Sequence, residues 1–87
     1  MMKVVKFGGS SLADAGQIQK AAAIIKAEAD RRYVVPSAPG KRFKDDIKVT
    51  DMLYQCYALA EKGEAFATQL AAIKDRYVSI LNGLSMP

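Results

Sequence analysis

Histidine and tryptophan are absent from these 87 residues, and cysteine occurs once. Without histidine there is no Ser-His-Asp or Cys-His nucleophile system and no imidazole-ligated metal. The lone Cys56 excludes an internal disulfide and a cysteine-built zinc site. A single thiol also fits a reducing compartment. Apolar runs are short, and none approaches the roughly 18 residues of a membrane span. The N-terminal stretch is interrupted by Lys3 and Lys6 and then meets Gly8-Gly9-Ser10-Ser11, so it does not read as a signal peptide. A cytoplasmic protein is expected. The chemistry left to it uses lysine, carboxylates, hydroxyls and backbone amides.

What is present is ordinary for a folded domain: 51% hydrophobic and 25% charged residues, which excludes intrinsic disorder and low-complexity sequence. A chain of 9.4 kDa makes one small domain, burying roughly 60–65% of its unfolded surface. That is little chain for an enzyme with two substrates. Thirteen Lys and Arg stand against nine Asp and Glu, a net charge of +4. Arg31, Arg32, Lys41, Arg42, Lys44 and Lys48 cluster around one loop. Such a cluster suits nucleic acid or small anionic substrates.

Val4, Val5 and Phe7 form a short apolar run that reads as a buried strand, ended by Gly8-Gly9. Ser10 or Ser11 can cap a following helix, and Ser11 with Asp14 fits a Ser-x-x-Asp capping pattern. Ile18, Ala21, Ala22, Ile25 and Ala29 share one face of a helix expected over 14–29. Tyr33-Val34-Val35 reads as a second buried strand, stopped by Pro36. Strand, glycine turn, helix, strand is a βαβ unit with parallel strands. Residues 37–48 form a loop. Thr50 or Asp51 is expected to cap a helix running to about residue 62, with Gly63 as its stop and Leu53, Cys56 or Tyr57, and Ala60 on one face. A last helix over 64–82 carries Phe66, Leu70, Ile73, Tyr77, Ile80 and Leu84 on one stripe, with Gly83 as C-cap. The two helices make a helical hairpin. The fold class is α/β, and a two-stranded parallel sheet is an incomplete version of it.

Three segments carry chemistry. In Lys6-Phe7-Gly8-Gly9-Ser10-Ser11, glycines let backbone N–H groups approach an anion, hydroxyls add donors, and Lys6 stands at the strand's C-terminal end. Phosphate recognition is one reading; a plain strand-to-helix turn with a solvated lysine is the other. The pattern is neither Walker nor G-x-G-x-x-G. Ser37-Ala38-Pro39-Gly40-Lys41 leaves the second strand at the same sheet edge, where open α/β sheets bind ligands. Ser37 is either a donor to a substrate carboxylate or part of a Pro-Gly turn without a role. Thr50 is either an N-cap alone or an N-cap that also meets an anion. Asp45 and Asp46 read as solvated loop residues, and Cys56 as a small buried one.

Val4-Val5-Lys6-Phe7-Gly8-Gly9-Ser10-Ser11-Leu12 closely resembles the N-terminal signature of aspartokinases, within the amino acid kinase superfamily. Ser37-Ala38-Pro39-Gly40-Lys41 resembles that family's second loop, and Lys48-Val49-Thr50-Asp51-Met52-Leu53-Tyr54 the start of its next helix. The resemblance implies a partial amino acid kinase fold, three-layered αβα in the parent, with residues 1–87 as the N-terminal fragment of the catalytic domain. Further catalytic segments and C-terminal ACT-type regulatory domains would lie outside it. It implies ATP-dependent phosphorylation of the L-aspartate side-chain carboxylate to 4-phospho-L-aspartate, on the route to lysine, methionine and threonine. Lys6 would neutralise charge on the transferring phosphoryl group. Lys6, Gly8, Gly9 and Ser10 would hold the ATP phosphates, and Ser37 and Thr50 would bind aspartate. Mg²⁺ would bridge the phosphates, with no protein ligand for it identified among these residues. The expected partners are L-aspartate and ATP, with no nucleic acid and no membrane, in a homo-oligomeric parent. The isolated fragment is expected to be inactive.

One residue departs from the family's pattern. Pro36 stands where an apolar strand residue is usual, and its fixed φ and missing N–H bear on the placement of Ser37. The alternatives are another amino acid kinase acting on a different carboxylate, or a non-catalytic small basic binding module. The second lacks interleaved aromatics and any nucleic-acid motif.

Overall fold

Strand-forming residues at 3–7 and 31–36 pair as the two strands of one parallel sheet, β1 (Lys3–Phe7) and β2 (Arg31–Pro36). The computed structural model describes residues 1–87. A short 3₁₀ turn (Ser10–Leu12) and the helix α1 (Ala15–Ala27) make the crossover between the strands. Helices α2 (Val49–Glu61) and α3 (Ala67–Gly83) follow as the expected hairpin. The result is the α/β arrangement anticipated from the sequence: a βαβ unit followed by two helices.

The register pairs Val4 with Tyr33, Val5 with Val34, Lys6 with Val35 and Phe7 with Pro36, with an irregularity between Lys3 and Val4. Pro36 does not end the pairing. In a parallel ladder its missing N–H matters little here, because the next residue donates instead, Ser37 N to Phe7 O at 3.0 Å. Ser37 is thereby fixed to the C-terminal end of β1.

Several local expectations are corrected. Neither Ser10 nor Ser11 caps α1. They lie in the 3₁₀ turn, and Asp14, in an extended conformation, is the N-cap, its Oδ1 accepting from Gln17 N at 2.9 Å. α2 starts at Val49 with Lys48 in the cap position and no side-chain cap, so Thr50 and Asp51 sit inside the first turn. Asp51 there complements the helix dipole. Gly63, at φ 73°, closes α2 in a Schellman arrangement, with Glu64 N bonded to Leu59 O and Gly63 N to Ala60 O. α3 begins at Ala67, three residues later than expected, and Gly83 is inside it rather than capping it. Ser85, at φ 57°, takes the left-handed position, with Met86 N bonded to Leu81 O and Ser85 N to Asn82 O. Gly83 instead allows close approach of α1, since a Cβ on it would lie 2.5 Å from the Ala15 Cβ.

The core is small. Phe7, Ala13, Ala21, Val49, Ile73 and Ile80 are its buried apolar members. α1 presents the expected face, with Ala21 buried and Ile18, Ala22 and Ile25 half-buried, while Ala29 falls outside the helix and is exposed. On α2 the inward stripe is Val49, Met52, Cys56 and Leu59; Leu53, Tyr57 and Ala60 face solvent. On α3 the fully buried residues are Ile73, Arg76 and Ile80, whereas Phe66, Leu70 and Tyr77 are exposed. The strands are not buried as expected: Val4, Tyr33, Val34 and Val35 are exposed, because helices cover only part of the sheet. At the far end, Lys3 Nζ bonds Glu28 at 2.8 Å and, with Arg31, holds that carboxyl below its ordinary range. No helix is long and apolar enough to cross a membrane.

Candidate functional site

Three segments converge at the C-terminal edge of the sheet. The first turn carries Gly8, Gly9 and Ser10. The second loop leaves β2 at Ser37. The third segment is the start of α2. Their meeting is enforced by backbone contacts. Gly40 N donates to Gly9 O at 2.7 Å, and Val49 N donates to Pro39 O at 3.0 Å. The Gly9–Gly40 contact needs both glycines: a Cβ on Gly40 would lie 2.4 Å from the Gly9 carbonyl carbon and 2.7 Å from Ser10 N, and one on Gly9 would lie 3.1 Å from the Gly40 Cα.

Between these segments lies a cleft of about 420 Å³. Gly9 and Ser10 line one side, the Ser37–Lys41 loop a second, and Lys48 and Thr50 a third. No carboxylate lines it, while two lysines do, so its field favours an anion. Of the residues named from the sequence, the fold brings Gly9, Ser10, Ser37 and Thr50 together here. Thr50 is not the cap; it is exposed in the first turn of α2 and lines this space. Lys6 and Gly8 are not part of the lining. Lys6 is exposed beside Val35 at the same end of the sheet, and Gly8 is exposed with no protein atom within 4 Å of a Cβ placed on it.

Sequence reasoning missed three residues. Lys41 and Lys48 were visible as members of the basic cluster, but only the loop's path shows that these two reach the cleft. Arg76 had no sequence signal except a cation on the apolar stripe of α3. It is buried, and its guanidinium donates to Ile47 O at 2.7 Å, to Ala13 O at 3.1 Å and to Gly40 O.

Asp46 is also not the solvated residue expected. Its carboxylate accepts from Arg42 Nε at 2.6 Å, Arg42 Nη2 at 2.9 Å and Arg42 N at 2.9 Å. The hydrogen bonds from the Arg42 side chain hold its carboxyl well below the usual carboxylate range, and push the guanidinium's pKa up. This clamp closes the basic loop on itself, with Arg76 Nη2 3.9 Å from Asp46 Oδ2. Asp45 stays exposed.

No three His, Cys, Asp or Glu side chains gather where they could hold a metal ion. The cleft itself is lined by no carboxylate, thiol or imidazole.

The model of the amino acid kinase family matches residues 1–85. Aspartokinase 3 of Bacillus subtilis (strain 168) is 46% identical over 86 residues, covering 98% of this chain and 19% of that protein. The crystal structure of Clostridium acetobutylicum aspartate kinase, described as an allosteric enzyme, superposes with a TM-score of 0.92 at 46% identity, over 97% of this chain and 19% of the other. The chain thus spans about a fifth of the length of these relatives.

Proposed function

The chain belongs to the amino acid kinase family, and on that footing we propose that it forms the N-terminal part of a catalytic domain that phosphorylates L-aspartate. In the reaction a side-chain carboxylate oxygen of aspartate attacks the γ-phosphorus of ATP. The bond to the bridging oxygen breaks, ADP leaves, and 4-phospho-L-aspartate is formed. No protein nucleophile or proton relay is needed, so positioning and charge neutralisation carry the catalysis. The absence of histidine is no obstacle to that.

The observation that carries this reading is the carboxylate-free, two-lysine cleft where the glycine turn, the Ser37 loop and the start of α2 meet. Gly8 has the open backbone face that a phosphate requires. Gly9 and Ser10 continue that face into the cleft. Lys6, at the strand end beside it, neutralises charge on the transferring phosphoryl group. Ser37 and Thr50, on the opposite walls, donate to aspartate. ATP is the phosphoryl donor, carried with Mg²⁺. The likeness to an aspartokinase and an aspartate kinase supports aspartate as acceptor and amino-acid biosynthesis in the cytoplasm as context. Since these relatives are about five times as long, activity is assigned to the polypeptide containing this domain, a homo-oligomer, and residues 1–87 alone do not turn over.

ADP release measured with aspartate, glutamate and acetylglutamate tests the acceptor. Aspartate-dependent turnover by the protein containing this domain is expected, and turnover with another acceptor alone would overturn the assignment. Lys6→Ala is expected to lower turnover about 10²-fold or more with the fold unchanged by circular dichroism. Near-normal turnover would remove Lys6 from the mechanism.

A further inference from the structure

We propose that Arg76, which does not line the cleft, is the positioning residue that sets its shape. Its guanidinium reaches one carbonyl from each converging segment: Ala13 after the glycine turn, Gly40 in the second loop and Ile47 just before Lys48 and α2. No backbone N–H reaches any of these three carbonyls. Ala13 and Gly40 are buried, and a buried carbonyl without a donor is costly, so Arg76 is the group that makes this meeting of loops possible. The geometry needs a planar fork with donors spread over two terminal nitrogens. A lysine ammonium, with its donors on one atom, cannot span the same three acceptors.

Two further observations separate this role from ordinary core packing. Arg76 occupies the apolar stripe of α3 between Ile73 and Ile80, where an aliphatic side chain would bury more simply. Its Nε is buried with no hydrogen-bond partner, so the arginine is not optimised as a stabilising pair. Asp46, 3.9 Å away, is committed to Arg42 and does not compete for the Arg76 donors. The bonded carbonyls lie beside groups that line the cleft: Gly40 itself, and Lys48 one residue past Ile47. Movement of any of the three would change the spacing of Ser10, Ser37 and Thr50.

The inference rests on the cleft being the reactant site proposed above. The test uses Arg76→Lys in the protein that contains this domain, with inorganic tripolyphosphate as the binding probe. Tripolyphosphate affinity is expected to fall about tenfold or more. The KM for ATP and aspartate should rise more than kcat falls. Amide exchange should accelerate at Gly40 and Val49, while the middles of α1 and α3 stay protected. A general loss of stability would instead expose all of these amides together. Unchanged exchange at Gly40 and Val49 with wild-type affinity would overturn the role of Arg76. If the wild-type protein neither binds tripolyphosphate nor phosphorylates aspartate, the functional reading falls, and exchange at Gly40 and Val49 still decides whether Arg76 holds the loops. A second measurement needs no variant: the Arg76 Nη protons should exchange slowly in nitrogen-resolved NMR of the unaltered protein. Fast exchange there would overturn the proposal even if Arg76→Lys fails to fold.

Discussion

Two glycines one position apart in the same turn do opposite work. Gly8 faces open space, so Gly8→Ala costs the fold little, and its effect should fall on whatever anion approaches that backbone. Gly9 is held against Gly40, and Gly40→Ala would drive a methyl into the Gly9 carbonyl. The expected outcome is a destabilisation of about 1–3 kcal/mol for Gly40→Ala and an unchanged melting temperature with weakened tripolyphosphate binding for Gly8→Ala. Thermal melts with a binding titration check both. Asp46 supplies a pH dependence. Its folded pKa is depressed by the Arg42 hydrogen bonds, so the folded state resists protonation more than the unfolded chain does. Its contribution is complete above the unfolded value near 3.8 and is lost as pH falls through the lower folded value. Urea melts should show this loss below about pH 4 and not between pH 5 and 7; Asp46→Asn should flatten that part of the profile.

The helices show how a correct element can have an unexpected end. The periodicity of α3 is plain in the sequence, yet its stop is not the glycine. Gly83 serves the crossing with Ala15, and the left-handed position falls on Ser85. Ser85→Gly should therefore stabilise the chain by about 1 kcal/mol, since glycine adopts that conformation without a Cβ penalty. Gly83→Ala should destabilise it, because the new methyl meets Ala15. If both substitutions shift the melting temperature in the same direction, the end of α3 is not as described. On α2 the half-buried stripe is displaced one residue from the one read in the sequence. Tyr54 and Tyr57 are apolar enough to suggest an inner face, but the helix starts at Val49, the most buried side chain in the molecule, and that anchor sets the rotation.

At the scale of the molecule, the chain is long for its mass. It measures 51 × 26 × 26 Å, with a radius of gyration of 15.4 Å, against about 12 Å for a compact domain of this length. Only nine of 87 residues are buried, which leaves Val4, Tyr33 and Val35 on open strands and Leu53, Tyr54 and Tyr57 on an open helix face. Both strands are sheet edges. An uncovered parallel edge with apolar flanks pairs readily with another chain. Light scattering of the 87-residue chain should show concentration-dependent association, and Val35→Lys should reduce it. A strictly monomeric chain at high concentration would contradict that expectation.

The order of elements, the parallel crossover and the glycine turn follow from local signals: strand runs, glycine breaks and helical spacing. Short-range sterics and hydrogen bonding dominate these. The six site residues were named from motifs and a family resemblance, and that four of them meet in one cleft is a property of the fold. Only the tertiary structure decided which lysines of the basic cluster face the cleft, that Asp46 is clamped by Arg42, and that a cation on α3 joins three loops. The Arg76 contacts depend on carbonyls and a side chain brought together from 29 to 63 residues apart, and the clamp of Arg42 on Asp46 depends on the turn the loop takes between them. A sequence shows no spacing rule for that, because a backbone carbonyl in need of a donor looks the same at every position.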